Sequence, residues 1–205
     1  MADKNQKHKN AMQKQKQKVD AHIEEASLEK GVVILLTGNG KGKTSSAFGM
    51  VLRAMGYGHK IGIVQFIKGQ QLSGEEIFVR DHVSQNKKPE IFFYQMGTGF
   101  TWNTQDRTSD IEAAERTWAQ VEPLLKDASY DLVVLDELTY MIAYKYLGEQ
   151  MILDAIANRP PNQSVVVTGR GGGSALQELA DTVSEVKEIK HAFKSGVKAR
   201  KGVDY

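Results

Sequence analysis

The chain contains no cysteine, which excludes disulfides, thiolate-bound zinc, iron–sulfur clusters and a cysteine nucleophile together. Proline is scarce: the four sit at positions 89, 123, 160 and 161, outside every apolar run that reads as a strand. Histidines number 5, at positions 8, 22, 59, 82 and 191, and their spacing carries no metal-ligand signature. No stretch approaches the roughly 18 apolar residues of a membrane span, and the polar, Lys- and Gln-rich start has no apolar signal-peptide core. A soluble protein of a reducing, cytoplasmic compartment, with no membrane partner, is the expectation. An excess of charge is lacking too. Lys and Arg total 27 against 25 Asp and Glu, and the resulting +2 is too small to make nucleic acid the expected partner.

What is present is enough for one good core and not two: 205 residues, 40% of them hydrophobic. The basic excess is local, in Lys4, Lys7, Lys9, Lys14, Lys16 and Lys18, with no acid between them. Residues 1–18 lack an apolar stripe and read as a mobile, solvated basic arm, and Val19, Ile23 and Ala26 recur at helical spacing, so a short helix follows. Residues 1–30 are therefore set apart from a domain over 31–205. Short runs rich in Val, Ile and Phe at 31–37, 60–66, 90–95, 131–136 and 163–168 read as strands buried on both faces. Helix-forming stretches at 43–55, 109–126, 149–157 and 174–180 alternate with them, which predicts an α/β fold with a mostly parallel sheet. Residues 183–189 alternate apolar and polar and read as an edge strand.

The first strand ends in Thr37-Gly38-Asn39-Gly40-Lys41-Gly42-Lys43-Thr44, and a helical pattern opens at once. In that context the three glycines let backbone N–H groups converge on an anion beside the positive end of a helix. Lys43 adds a point charge, and the Thr44 hydroxyl can ligate Mg²⁺. The bland alternative is a glycine-rich turn with solvated lysines. Gly38 to Gly42 encloses three residues where the usual phosphate loop has four, so the orientation of a nucleotide stays open. Further on, the strand at 131–136 delivers Asp136 and Glu137 at the end where parallel sheets bind ligands. Successive strand residues point opposite ways, so one can reach a Mg²⁺ sphere while the other orients the loop. Alternatively the pair caps a helix over 138–147.

Several strings, in order, resemble the ATP:corrinoid adenosyltransferases of the CobA/CobO/BtuR type: Thr37 to Thr44, Val64-Gln-Phe-Ile-Lys-Gly69, Gly97-Thr-Gly-Phe-Thr-Trp102, Val133 to Tyr140, Thr168-Gly-Arg170 and the tail from Lys190 to Tyr205. The resemblance implies a RecA-like phosphate-loop fold, a homodimer, and transfer of the 5′-deoxyadenosyl group of ATP to the Co(I) of a reduced corrinoid (cobalamin, cobinamide or a cobyrinic acid derivative), with release of triphosphate. It implies that Gly38, Asn39, Gly40, Lys41, Gly42, Lys43 and Thr44 hold the triphosphate, that Thr44 and Glu137 bind Mg²⁺ with Asp136 in support, and that Arg53 lies near the nucleoside. Phe100 and Trp102 match an aromatic pair beside the corrin. There they would displace the lower axial ligand of Co(II), so that a flavoprotein such as flavodoxin can reduce it. Without the resemblance, that pair reads as ordinary core anchoring. The resemblance also suggests a helical lid from the N-terminal region. Ser45 and Ser46, the Gly171 to Gly173 loop and a long 81–90 segment depart from the pattern. Two other functions remain: a kinase or NTPase that yields ADP, and a RecA-like nucleic-acid module that uses the lysine arm.

Overall fold

The computed structural model describes residues 2–67, 73–83, 90–97 and 106–204. Phe100 and Trp102 lie outside them. The chain forms two compact units, 1–30 and 31–205. In the first, helix α1 spans Ala2–Glu25, much longer than the short helix expected after residue 18. The segment holds no Gly or Pro and is rich in Lys, Gln and Ala, which suit a helix without an apolar face.

The second unit alternates strands and helices: β1 (Val33–Thr37), α2 (Lys43–Gly56), β2 (Ile61–Gln65), α3 (Gly74–Phe78) continuing into a π-helical turn Val79–Val83, β3 (Ile91–Gln95), α4 (Arg107–Lys126), β4 (Leu132–Asp136), α5 (Thr139–Ala143), α6 (Glu149–Ala157), β5 (Ser164–Thr168), α7 (Gly173–Leu179) and β6 (Thr182–Glu185). The sheet order is β3-β2-β4-β5-β1-β6, and every pairing is parallel. The expected α/β class with a mostly parallel sheet is the observed one, and β6 at Thr182–Glu185 overlaps the run expected as an edge strand.

Strand alternation divides the core into two layers. Leu35, Val64, Val133, Leu135 and Val167 face Trp118, Val121 and Leu125 of α4 and Ile152 of α6. Leu36, Ile63, Val134 and Val166 face Ala47 and Val51 of α2. Four strands end in a buried polar residue at the same edge of the sheet: Thr37, Gln65, Asp136 and Thr168. Polar groups at the carboxyl ends of otherwise apolar strands mark the ligand-binding side of a parallel sheet. The sequence reading lacks α3, the π-helical turn after it and a 3-10 turn at Ala192–Ser195, although the signal of α3 is present: Ser73 begins a Ser-x-x-Glu capping pattern and its Oγ accepts the Glu76 N–H at 3.2 Å.

Candidate active site

Immediately beyond β1 the chain turns through Gly38 and Gly42, both in the left-handed region at φ 100° and 122°, and enters α2 at Lys43. Lys43 is 8% exposed, and its Nζ donates to the Gly40 carbonyl at 2.9 Å, across the concave face of the loop. Burial pushes this ammonium below its ordinary pKa; Glu137 opposes the shift, Arg170 reinforces it and Asp136 opposes it. Asn39, Gly40, Lys41, Gly42, Lys43 and Thr44 all line one cavity of about 1340 Å³.

The two adjacent acids take different positions, and because β4 ends at Asp136 it is the turn at Glu137, rather than strand alternation, that separates them. Asp136 is fully buried behind the cavity. One of its carboxylate oxygens accepts from the Thr44 hydroxyl at 2.9 Å and the Thr168 hydroxyl at 2.6 Å, and the other accepts from the Gln65 amide at 2.8 Å. Glu137 stands at φ 62°, a left-handed value unusual outside glycine, and its N–H donates to Thr168 Oγ1 at 2.9 Å. That turn at the end of β4 brings Glu137 to the cavity wall with the loop. Because Thr44 gives its hydroxyl proton to Asp136, its oxygen lone pairs remain as hard donors for a cation, next to a carboxylate. Among the described residues no cluster of three or more His, Asp or Glu forms a metal cage, so a cation here would take much of its coordination from phosphate and water, as Mg²⁺ does.

Two expected residues are placed differently. Arg53 is exposed on α2 and does not line the cavity; Ser45, Phe48, Leu52 and Met55 form the helix face that does, and Arg53 falls about 100° round from it. Gly38 is also off the lining: a Cβ there would meet the Val186 carbonyl oxygen at 2.4 Å, so its smallness serves the close approach of the chain after β6. Asp136 sits behind the cavity and braces Thr44, the supporting position expected for it.

Residues without an assigned role in the sequence reading also converge here. Gln65 and Thr168 hold Asp136, and Arg170, Tyr140, Glu188 and His191 line the cavity. A polar residue closing an apolar strand is the signal that marks the first two. The Gly171 to Gly173 loop is held in place, with φ values of 79°, 112° and 71°. Thr37 donates to the Gly171 carbonyl at 2.7 Å, and Thr139 donates to the Arg170 carbonyl at 2.9 Å. A separate cleft of about 630 Å³ lies beside Trp118, Pro123 and Met151, away from the phosphate loop.

The family model described as ATP:corrinoid adenosyltransferase BtuR/CobO/CobP matches residues 29–205. The chain belongs to this family. Among its relatives, the corrinoid adenosyltransferase of Pseudomonas aeruginosa is 49% identical over 99% of this chain and 98% of its own. That of Escherichia coli K12 is 47% identical over 98% of each chain, and corrinoid adenosyltransferase CobA of Salmonella typhimurium is 46% identical over 98% of each. Among solved structures, the RadB recombinase covers 80% of this chain and 77% of its own with a TM-score of 0.42 at 14% identity. The protein is thus a transferase of the corrinoid adenosyltransferase family, and no helix among its described residues is long and apolar enough to cross a membrane.

Proposed function

We propose that this adenosyltransferase takes MgATP and a reduced corrinoid, joins the 5′ carbon of the nucleoside to Co(I), and releases intact triphosphate. The observation that carries the reading is the shared cavity of the compact phosphate loop, buried Lys43 and left-handed Glu137, in a chain whose relatives bear this name. The cobalt of the substrate supplies the electron pair that forms the Co–C bond. The C5′–O bond breaks and its pair leaves on the triphosphate, so no proton moves and the protein needs no general base. Its work is to receive negative charge and fix geometry. Lys43 and the start of α2 face the polyphosphate, with the loop backbone around it. Thr44 and Glu137 would hold Mg²⁺, with Asp136 bracing Thr44, and the ion would screen the charge of the leaving group.

The resemblance supports the remaining parts of the proposal: Phe100 and Trp102 against the corrin, reduction of bound Co(II) by a flavoprotein, a homodimer, and work in the cytoplasm. The deciding experiment incubates the enzyme with MgATP and chemically reduced corrinoid. The expected result is an alkylated cobalt spectrum with one triphosphate per adenosylated product. ADP and phosphate, without alkylation, would make the protein an NTPase.

A further inference from the structure

The far end of the chain is built into the phosphate loop. After β6 the Val186 N–H donates to the Thr37 carbonyl at 2.8 Å, and the Val186 carbonyl accepts the Gly40 N–H at 2.7 Å. A Cβ on Gly40 would lie 2.7 Å from the Lys187 carbonyl carbon. The chain then passes Glu188 and His191 on the cavity wall and closes in a turn over 200–204. In that turn one Asp204 carboxylate oxygen accepts the Arg200 N–H at 2.8 Å, and the other lies 2.9 Å from Lys41 Nζ. Gly202, Val203 and Asp204 line the same cavity as the loop. A tail carboxylate therefore sits on a loop lysine, within the space proposed for the polyphosphate.

We propose that Asp204 is a latch that competes with polyphosphate for Lys41. This rests on the proposed reading of the loop as a polyphosphate site. Carboxylate and phosphate oxygens ask for the same short, charge-assisted bond from one ammonium. An entering polyphosphate, with more charge and the added support of Lys43 and the α2 start, takes Lys41 from Asp204. As triphosphate leaves, Asp204 takes Lys41 back, and the loop does not have to shed its product against an unpaired cation. The contact is partly solvated, with side-chain exposures of 43% for Lys41 and 27% for Asp204, so the exchange is between two modest interactions and is readily reversed.

The test is equilibrium binding of inorganic triphosphate with Mg²⁺ by calorimetry, in low and high salt, for the wild-type full chain, Asp204→Asn, Lys41→Ala and the double variant. Asn keeps an oxygen for the Arg200 N–H, so the melting temperature should be unchanged; Asp204→Ala is the second variant should Asn perturb the turn. The latch predicts binding about fivefold tighter in Asp204→Asn at low salt, a ratio that shrinks at high salt, and a change under about twofold in the Lys41→Ala background. Unchanged or weaker binding in Asp204→Asn overturns the latch. Equal tightening in both backgrounds also overturns it, since that would be long-range repulsion acting without Lys41. If none of the four proteins binds triphosphate, the reading of the loop falls and takes the latch with it.

Discussion

Asp136 and Glu137 are neighbours in sequence with opposite fates, and substitutions should separate them. Asp136→Ala removes the acceptor shared by Thr44, Thr168 and Gln65 at a fully buried position. It should cost about 3 to 5 kcal/mol in urea unfolding. Glu137→Gln changes a cavity-wall side chain and should melt within about 0.5 kcal/mol of wild type, while the Mg²⁺ concentration needed for activity rises at least tenfold. If the proposed function is right, Lys43→Ala and Thr44→Ala should each lower adenosylation about 100-fold or more with pre-formed Co(I), since under that proposal one would remove a charge facing the leaving group and the other a metal donor. Near wild-type activity in either would move the nucleotide elsewhere. Phe100→Ala and Trp102→Ala should impair the flavoprotein-coupled assay far more than the assay with chemically made Co(I). A core-anchoring role would instead lower both assays together with stability, by about 3 to 5 kcal/mol. Lys43, Thr44 and Glu137 were legible because motif and chemistry coincide within a few residues. The bracing by Gln65 and Thr168 was not, because it joins three strand ends that meet only in the folded sheet.

Among the elements, each of the four central strands was visible as a short Val/Ile-rich run, since strands covered on both faces have no polar side to hide behind, whereas β3, an edge strand half-buried along its length, was visible from its Ile-Phe-Phe-Tyr run. α3 was passed over because its short Gly74–Phe78 span carries Glu75 and Glu76 and buries none of its residues, leaving the capping serine as its one signal. The loop glycines show how an element's meaning can lie outside its motif. Gly38 and Gly40 are required by the backbone that follows β6, whereas a Cβ on Gly42 would meet nothing within 4 Å and there only φ 122° is at stake. Gly38→Ala and Gly40→Ala should therefore each cost about 1 to 3 kcal/mol and weaken triphosphate binding through displacement of residues 186–187. Gly42→Ala should lose about 1 to 2 kcal/mol from left-handed strain alone. Thermal unfolding of the three variants, set beside their triphosphate affinities, checks the difference.

For the whole molecule, the two core clusters lie entirely within the second unit, and α1 is exposed along its described length. Deletion of residues 1–30 should leave a cooperatively folded protein whose melting temperature shifts by less than about 4 °C, corresponding to about 1 kcal/mol; a larger loss would mean that the helix contributes to the core's stability. The fold class was legible from alternating strands and helices, but the strand order was not, because β1 pairs with β5 and β6 across more than a hundred residues and no local pattern records such a partner. This order has a consequence during synthesis. β2 lies between β3 and β4, so these three can assemble early, while β1, made before any of them, has both of its partners among later residues. The phosphate loop at its end waits longer still, for Val186 to emerge. A nascent chain halted before that point carries the complete motif without the backbone partners of Thr37 and Gly40, so the proposed capacity to hold a polyphosphate should be acquired only once residue 186 has emerged.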